Sequence, residues 1–283
     1  DHLNDYQQSK KLKPENGGSE SHLNSQQTAE LIVHLEVNTY LKSEHICAYV
    51  EQTFKVQFTG SGMTKWLTRN GFSFKKPKGT PAKADPEKQA EFVRYYEDLL
   101  NTLPEDEPVE FADAVHPTMA TKITYGWIRK GKDKLIATTA SRTRVNLLGS
   151  INLETMEVTI ASHETINSKA MEKHFAALRK KYPQAPRIHQ ILDRGSYNIS
   201  AVTKEAAEKY GIVFHHLPPY SPNLNPIERL WKVMNEFVRN NRVFKSASEF
   251  SQAIDDFFAK WPEISRSMID RINDNFQTVS KVS

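Results

Sequence analysis

Cysteine is nearly absent from this sequence. The 283 residues include one, Cys47, which excludes an intramolecular disulfide framework and a cysteine-built zinc site. Its neighbours Ile46, Tyr49 and Val50 point to a core position, not a reactive thiol. No apolar run approaches the roughly 18 residues of a membrane span, and no signal-peptide pattern opens the chain. A Walker A loop, a dinucleotide fingerprint and internal repeats are also missing. One long stretch lacks acidic residues. From Lys55 to Lys83 there are seven basic side chains (Lys55, Lys65, Arg69, Lys75, Lys76, Lys78 and Lys83) and no Asp or Glu. A run so one-sided favours phosphate contact over an ordinary solvated face.

What is present fits a globular chain with room for two domains. Hydrophobic residues make up 38% and aromatics 10%, too much apolar side chain for a disordered chain. The net charge of +4 and the pI near 8.9 are compatible with a polyanionic partner without requiring one. The expected location is the cytoplasm, in association with the nucleoid. The chain begins at Asp1 instead of Met, which suits a processed product or a piece of a longer one.

Residues 1–24 are polar, with Lys10, Lys11 and Lys13 before Asn16-Gly17-Gly18-Ser19, and read as a linker or the remnant of a preceding unit. Residues 25–75 read as an all-α helix-turn-helix domain. Its first helix carries Leu31, Ile32, Leu35 and Leu41. The second, opening at Ser43 as N-cap, shows Ile46, Tyr49, Val50 and Phe54 on one stripe. A turn at Gly60-Ser61-Gly62 leads into a third helix, Met63 to Arg69, stopped by Asn70-Gly71. Met63, Trp66 and Leu67 should face inward, and Thr64, Lys65, Thr68 and Arg69 outward. The geometry suits a helix-turn-helix, although periodicity alone fits any three-helix bundle. Together with Ser61, Lys75, Lys76 and Lys78, the outward set is the candidate DNA-binding surface. Phe72 to Lys76 alternates and reads as a short strand or wing. Residues 76–107 are a basic, proline-rich linker and a connecting helix. The linker suits either a minor-groove contact through lysines or a plain tether.

Residues 108–283 read as the catalytic domain. Strands are expected near Val109–Asp113, Tyr125–Arg129, Arg144–Ile151, Val158–Ser162, Ile188–Asp193 and Ile212–His216. Helices are expected over Asn167–Tyr182, Ser200–Tyr210, Ile227–Asn240, Ser248–Lys260 and Ile264–Asn275. Strands first, then alternating helix and strand, gives an α/β fold with a mixed sheet.

The most specific stretch is Leu217 to Trp231. Pro218, Pro219 and Pro222 each fix φ and withhold a donor, which rules out helix and central strand there. Asn225 then suits an N-cap, with Pro226 in the first helical position and Glu228 in the third. Read alone, that is a capping box. Upstream, Ile188 to Leu192 is a short buried strand that delivers Asp193, and Val109 to Ala112 delivers Asp113 in the same way. Three carboxylates at element ends are the parts of a two-metal phosphoryl-transfer site, since Mg2+ prefers carboxylate oxygens and keeps positions for water and phosphate.

The segments LPPYSPNLNPIERLW, ILDRGSYN and FADAVHP, in reverse chain order, resemble the DDE-type transposases of bacterial insertion sequences in the mariner superfamily. In that family 34 residues separate the last two acids, as they separate Asp193 from Glu228 here. DRGSYN reads as a variant of the family's second motif, and Arg194 and Ser196 within it are not assigned to family positions. SGMTKWLTRNGFSFKKPKG resembles the family's second helix-turn-helix, so the likeness runs from about Gly60 to the C-terminus. It implies a ribonuclease-H-like catalytic domain, a catalytic and metal-binding set of Asp113, Asp193 and Glu228, and dependence on Mg2+ with Mn2+ able to substitute. It also implies cut-and-paste transposition into TA targets by a homodimer on double-stranded DNA, both terminal inverted repeats and target. Family members carry two helix-turn-helix units and one is visible here, which implies a lost first unit or a chain that begins partway.

Other side chains read as structural: His116 as support for a strand end, His215 and His216 as strand residues, and Trp231, Phe257, Phe258 and Trp261 as core. Glu105, Asp106 and Glu107 read as a solvated loop. Asp255 and Asp256 are adjacent on a helix and do not share a face. The rival functions are a regulatory or catalytically retired helix-turn-helix protein, which an intact triad disfavours, and another ribonuclease-H-like nuclease such as a resolvase.

Overall fold

The computed structural model describes residues 22–77, 79 and 81–279. The expected linker up to residue 21, and Lys78, lie outside that range. The chain divides into two compact units, residues 1–78 and 79–283.

In the first unit, α1 (Ser25–Val37) opens with a capping box: Asn24 Oδ1 accepts from the Gln27 N–H at 2.8 Å, and Gln27 Oε1 accepts from the Asn24 N–H at 3.1 Å. Helix α2 spans Ser43–Phe54, one residue after Lys42 at the cap, so Ser43 is helical and not the cap itself. Helix α3 spans Gly60–Arg69. It starts three residues earlier than expected because Thr59 Oγ1 caps the Gly62 N–H at 3.1 Å and draws the Gly-Ser-Gly turn into the first helical turn. Leu31, Ile46, Val50, Met63 and Trp66 form the core of the unit, with Cys47 and Leu67 packed against it. Leu41 does not join them. Helix α1 ends at Val37, where Asn38 Nδ2 donates to the His34 carbonyl, and Leu41 is left exposed. Phe72 to Lys76 forms no strand: the Phe72 N–H turns back to the Leu67 carbonyl at 2.9 Å, and among the described residues no strand pairs with the segment.

The second unit begins with α4 (Pro86–Thr102), capped by the Asp85 carboxylate and opened by Pro86 in its first turn. Strands β1 (Val109–Val115), β2 (Asn146–Ile151), β3 (Val158–His163), β4 (Ile188–Leu192) and β5 (Ile212–His216) make one mixed sheet in the order β3-β2-β1-β4-β5. The β3-β2-β1 part is antiparallel, and β1-β4-β5 is parallel. This is the ribonuclease-H-like arrangement that the sequence led us to expect.

Strand alternation sends side chains to two cores. Phe111, Ile151 and Ile191 face α4, α7 (Ile227–Val238) and α8 (Ala247–Ala259). Ala112, Leu148, Ile188 and Leu192 face α5 (Ser168–Lys181) and α6 (Ala201–Tyr210). No helix among the described residues is long and apolar enough to cross a membrane.

Two elements differ from expectation. Tyr125 to Arg129 is not a strand. Isolated bridges, Thr118 to Arg144 and Lys122 to Asn240, and the Asn241 side chain on Thr124 tie its flank, and Tyr125 and Trp127 are fully exposed. Alternation alone does not make a strand without a ladder partner. The expected helix over Ile264–Asn275 is replaced by a short helix, Trp261–Ile264, and a 3-10 turn, Ser265–Met268. The Arg229 guanidinium takes the Asn273 carbonyl at 2.7 Å and the Asn275 carbonyl at 3.0 Å, acceptors now turned to a side chain from another element.

Candidate active site

Asp113 lies on β1 in the same alternation class as Phe111, so it projects to the sheet face covered by α7. Strand β4 runs parallel to β1 with Phe111 opposite Ile191. The ladder stops there; Asp113 lies two residues further along β1 and Asp193 follows β4 directly, so both aspartates lie toward the same end of neighbouring parallel strands. Helix α7 begins at Ile227 and carries Glu228 in its first turn. Strand β1 runs on to Val115, so Asp113 lies inside the strand and not at the end expected of it; with Asp193 just past β4 and Glu228 in the first turn of α7, the three acids come near enough for their charges to interact.

The three carboxylates sense one another. Burial pushes the Asp113 carboxyl up to about 7; the negative charge of Glu228 adds to this, and that of Asp193 adds less. The Ala114 backbone N–H and the Trp231 indole work in the opposite direction. Burial also raises Glu228, with the Lys232 ammonium opposing and Asp193 reinforcing. Asp193 is exposed, and its Oδ1 accepts from the Gly195 N–H at 2.9 Å and from Asn198 Nδ2 at 2.8 Å. Both bonds fall on one oxygen. Tyr197 stands close to both aspartates. Burial and their charges push its hydroxyl above the ordinary tyrosine range.

Among the described residues no three His, Cys, Asp or Glu side chains gather around a single ion position. The acids share an electrostatic field without forming an all-protein cage. Mg2+ does not require one, because it is commonly held by one or two carboxylates with water and phosphate completing the shell. An all-oxygen, mutually repelling donor set, one member of which is buried enough to resist ionisation, fits a hard divalent cation.

The structure assigns Asn225 differently from the expected N-cap. Helix α7 has Pro226 at its cap position and no side-chain cap bond. The Asn225 amide is buried and donates instead to the Ala112 carbonyl at 3.1 Å. Glu228 is thus not held in a capping box. Glu107, expected in a solvated loop, is buried and bonds Arg187 and His189. The His189 bond, helped by Arg187, holds its carboxyl below the usual range. His189 joins His215 at 2.8 Å, and His215 joins Tyr95 at 2.5 Å. His116 bonds Asn146 Oδ1 at 2.8 Å, as expected of a support for the strand end. Sequence reasoning took Trp231 as core and passed over Asn198 and Gly149. All three touch or face the aspartates: Asn198 does so through a local turn five residues after Asp193, whereas tertiary packing brings Trp231 and Gly149 to Asp113.

In the first unit Ser61, Thr64, Lys65, Thr68 and Arg69 are exposed along α3, and Lys75 and Lys76 are exposed beyond it. Thr64 and Thr68 turn their hydroxyl protons onto the Gly60 and Thr64 carbonyls, which leaves Lys65 and Arg69 as the charged groups of that face.

A mixed sheet and a packed helix that bring two aspartates and a glutamate near enough for their charges to interact, in a chain with a separate helix-turn-helix unit, define a class of carboxylate-based nucleic-acid enzymes. Residues 108–251 match the family of DDE superfamily endonucleases, and residues 38–96 match a winged helix-turn helix. The chain belongs to the DDE superfamily of endonucleases. It is 21% identical over 225 residues to the insertion element IS630 uncharacterized 39 kDa protein of Shigella sonnei, a match covering 76% of this chain and 65% of that protein. It is 28% identical over 98 residues to an uncharacterized protein of Sinorhizobium fredii, covering 35% of this chain and 68% of the relative. The Mos1 mariner paired end complex with Mn has the same fold, with a TM-score of 0.66 at 14% identity over 98% of this chain and 87% of that one. The Mos1 transposase paired-end complex with left transposon end gives 0.64 at 15% identity, covering 96% and 86%.

Proposed function

We propose that the chain is a metal-dependent DDE transposase. It would bind the terminal inverted repeats of its own element, cut the DNA there and join the ends to target DNA, with TA as the preferred target. The observation that carries this reading is the nearness of Asp113, Asp193 and Glu228, whose charges interact, in a chain that also holds a basic helix-turn-helix surface. The likeness to an insertion-element protein and to a mariner transposase supports it.

In this reading Asp113, Asp193 and Glu228 hold Mg2+, with Mn2+ able to substitute. When bound, the cations supply Lewis acidity to the attacking and leaving oxygens of an in-line displacement at phosphorus. Asp113 supplies a carboxylate whose charge is costly until a cation neutralises it. Asp193 supplies Oδ2 while Oδ1 stays with Gly195 and Asn198. Glu228 comes from the first turn of α7, so its position depends on how that helix meets β1. Lys65, Arg69, Lys75, Lys76 and Lys78 supply phosphate and base contacts, with Ser61, Thr64 and Thr68 as polar neighbours. A homodimer holding two element ends completes the scheme, and the protein acts on DNA in the bacterial cytoplasm, at the nucleoid.

The test is Mg2+-dependent cleavage of a labelled duplex carrying the element's end, beside a scrambled duplex. Cleavage restricted to the true end, and lost in EDTA, supports the reading. Tight specific binding with no cleavage in either Mg2+ or Mn2+ would instead favour a regulatory protein.

A further inference from the structure

Directly across the β1–β2 ladder from Asp113 stands Gly149. A Cβ at that position would lie 3.1 Å from Cη2 of Trp231, 3.2 Å from the Thr159 carbonyl and 3.3 Å from Cγ1 of Ile160. All three contacts are tighter than ordinary van der Waals packing, and one of them is with backbone, which gives way poorly. The Trp231 ring therefore occupies the space that a side chain opposite Asp113 would fill.

Trp231 sits three residues after Glu228 on α7, which places both on one side of that helix. It is almost fully buried, with Phe258 edge-on at 6.4 Å. Its indole Nε1–H points back to the strand and donates to Asp113 Oδ2 at 3.3 Å. Indole is a donor and never an acceptor. It can therefore hold the ionised carboxylate through one oxygen, beside the Ala114 backbone N–H that bonds the same carboxylate.

We propose that Trp231 is the positioning residue of the metal site: seated over Gly149, it aims the Asp113 carboxylate and ties it to the helix that carries Glu228. The inference rests on the reading of Asp113 as a metal ligand. Partners that orient a ligand in this way cost about 10–100-fold in metal affinity or activity when removed. A tryptophan that only fills the core would tolerate phenylalanine with no change in metal dependence.

Two variants and one spectroscopic signal test it, all in the full chain. Trp231→Phe keeps an aromatic ring and removes the donor. Gly149→Ala keeps the donor and displaces the ring. Each is expected to raise the Mg2+ concentration needed for half-maximal cleavage about tenfold, with DNA affinity unchanged. Without DNA, the Trp231 indole N–H signal in NMR, assigned by its loss in Trp231→Phe, is expected to move when Mg2+ is added to the wild type. It should stay still in Asp113→Asn. An unmoved wild-type signal, or wild-type Mg2+ dependence in a folded Trp231→Phe, overturns the positioning role; loss of cleavage in Asp113→Asn then leaves the metal site standing. Wild-type cleavage by Asp113→Asn overturns both. Should Trp231→Phe fail to fold, Gly149→Ala still decides: wild-type Mg2+ dependence in the folded Gly149→Ala overturns the positioning role, and a raised requirement supports it.

Discussion

Asn225 donates from Nδ2 to the carbonyl of Ala112, the residue just before Asp113, at 3.1 Å. A buried amide three residues ahead of Glu228 is thereby fastened to the strand that carries the first aspartate. Asn225→Ala removes the fastening and leaves the Ala112 carbonyl without that donor. The expected cost is about 1–3 kcal/mol of stability, read as a lowered denaturation midpoint. Cleavage should fall further than the loss of folded protein accounts for. Activity that tracks folded fraction alone would reduce Asn225 to a packing residue.

Replacing any one acid separates chemistry from binding. Asp113→Asn, Asp193→Asn and Glu228→Gln should each abolish Mg2+-dependent cleavage of a labelled element end. Affinity for that DNA should hold within about twofold, since phosphate contacts set most of it. A mutant that cuts at the wild-type rate removes its residue from the site.

The raised Asp113 carboxyl makes metal-free stability depend on pH. An unfolded aspartate releases its proton near pH 3.9, whereas the folded one holds it to about 7. Between those values the native state carries the extra proton, so stability falls as pH rises, and the loss is complete above about pH 7. In EDTA the wild type should melt lower at pH 8 than at pH 5. Asp113→Asn should flatten that difference, and Mg2+ should restore the wild type more at pH 8 than at pH 5. Thermal melts across that range decide it. Equal melting of the wild type and Asp113→Asn at both pH values would count against a destabilising Asp113 charge.

The α3 face makes a different prediction. Arg69→Ala should cost roughly 1–3 kcal/mol on the specific end and relax sequence preference, as loss of a base contact does. Lys76→Ala should weaken specific and scrambled DNA alike and reduce the salt slope by about one. Binding isotherms across a salt series tell them apart. Equal losses on both DNAs for both variants would mean that the helix grips backbone only.

Much of this was legible in the chain itself. The stripes Ile46, Val50 and Met63, Trp66 marked helices because apolar spacing and turn residues are local signals. The strands that carry Asp113 and lead into Asp193 were legible for the same reason, although β1 runs two residues past Asp113, and the 34-residue interval to Glu228 is written in the order of residues. Local signals failed where distant groups competed for the same atoms. Tyr125 to Arg129 alternates like a strand but has no ladder to join. Asn225 has the chemistry of a cap but spends its amide on Ala112. Glu107 stands in an acidic run but is drawn inside by Arg187 and His189. The sequence by itself determined which residue types the site contains and which elements carry them, because periodicity, capping chemistry and spacing act within a few residues. Only the tertiary structure decided that Asp113 comes within reach of the charges of Asp193 and Glu228, and that Trp231 lies over Gly149 to reach Asp113. Strand register and helix-on-sheet packing set those contacts, and both arise between segments far apart in the chain.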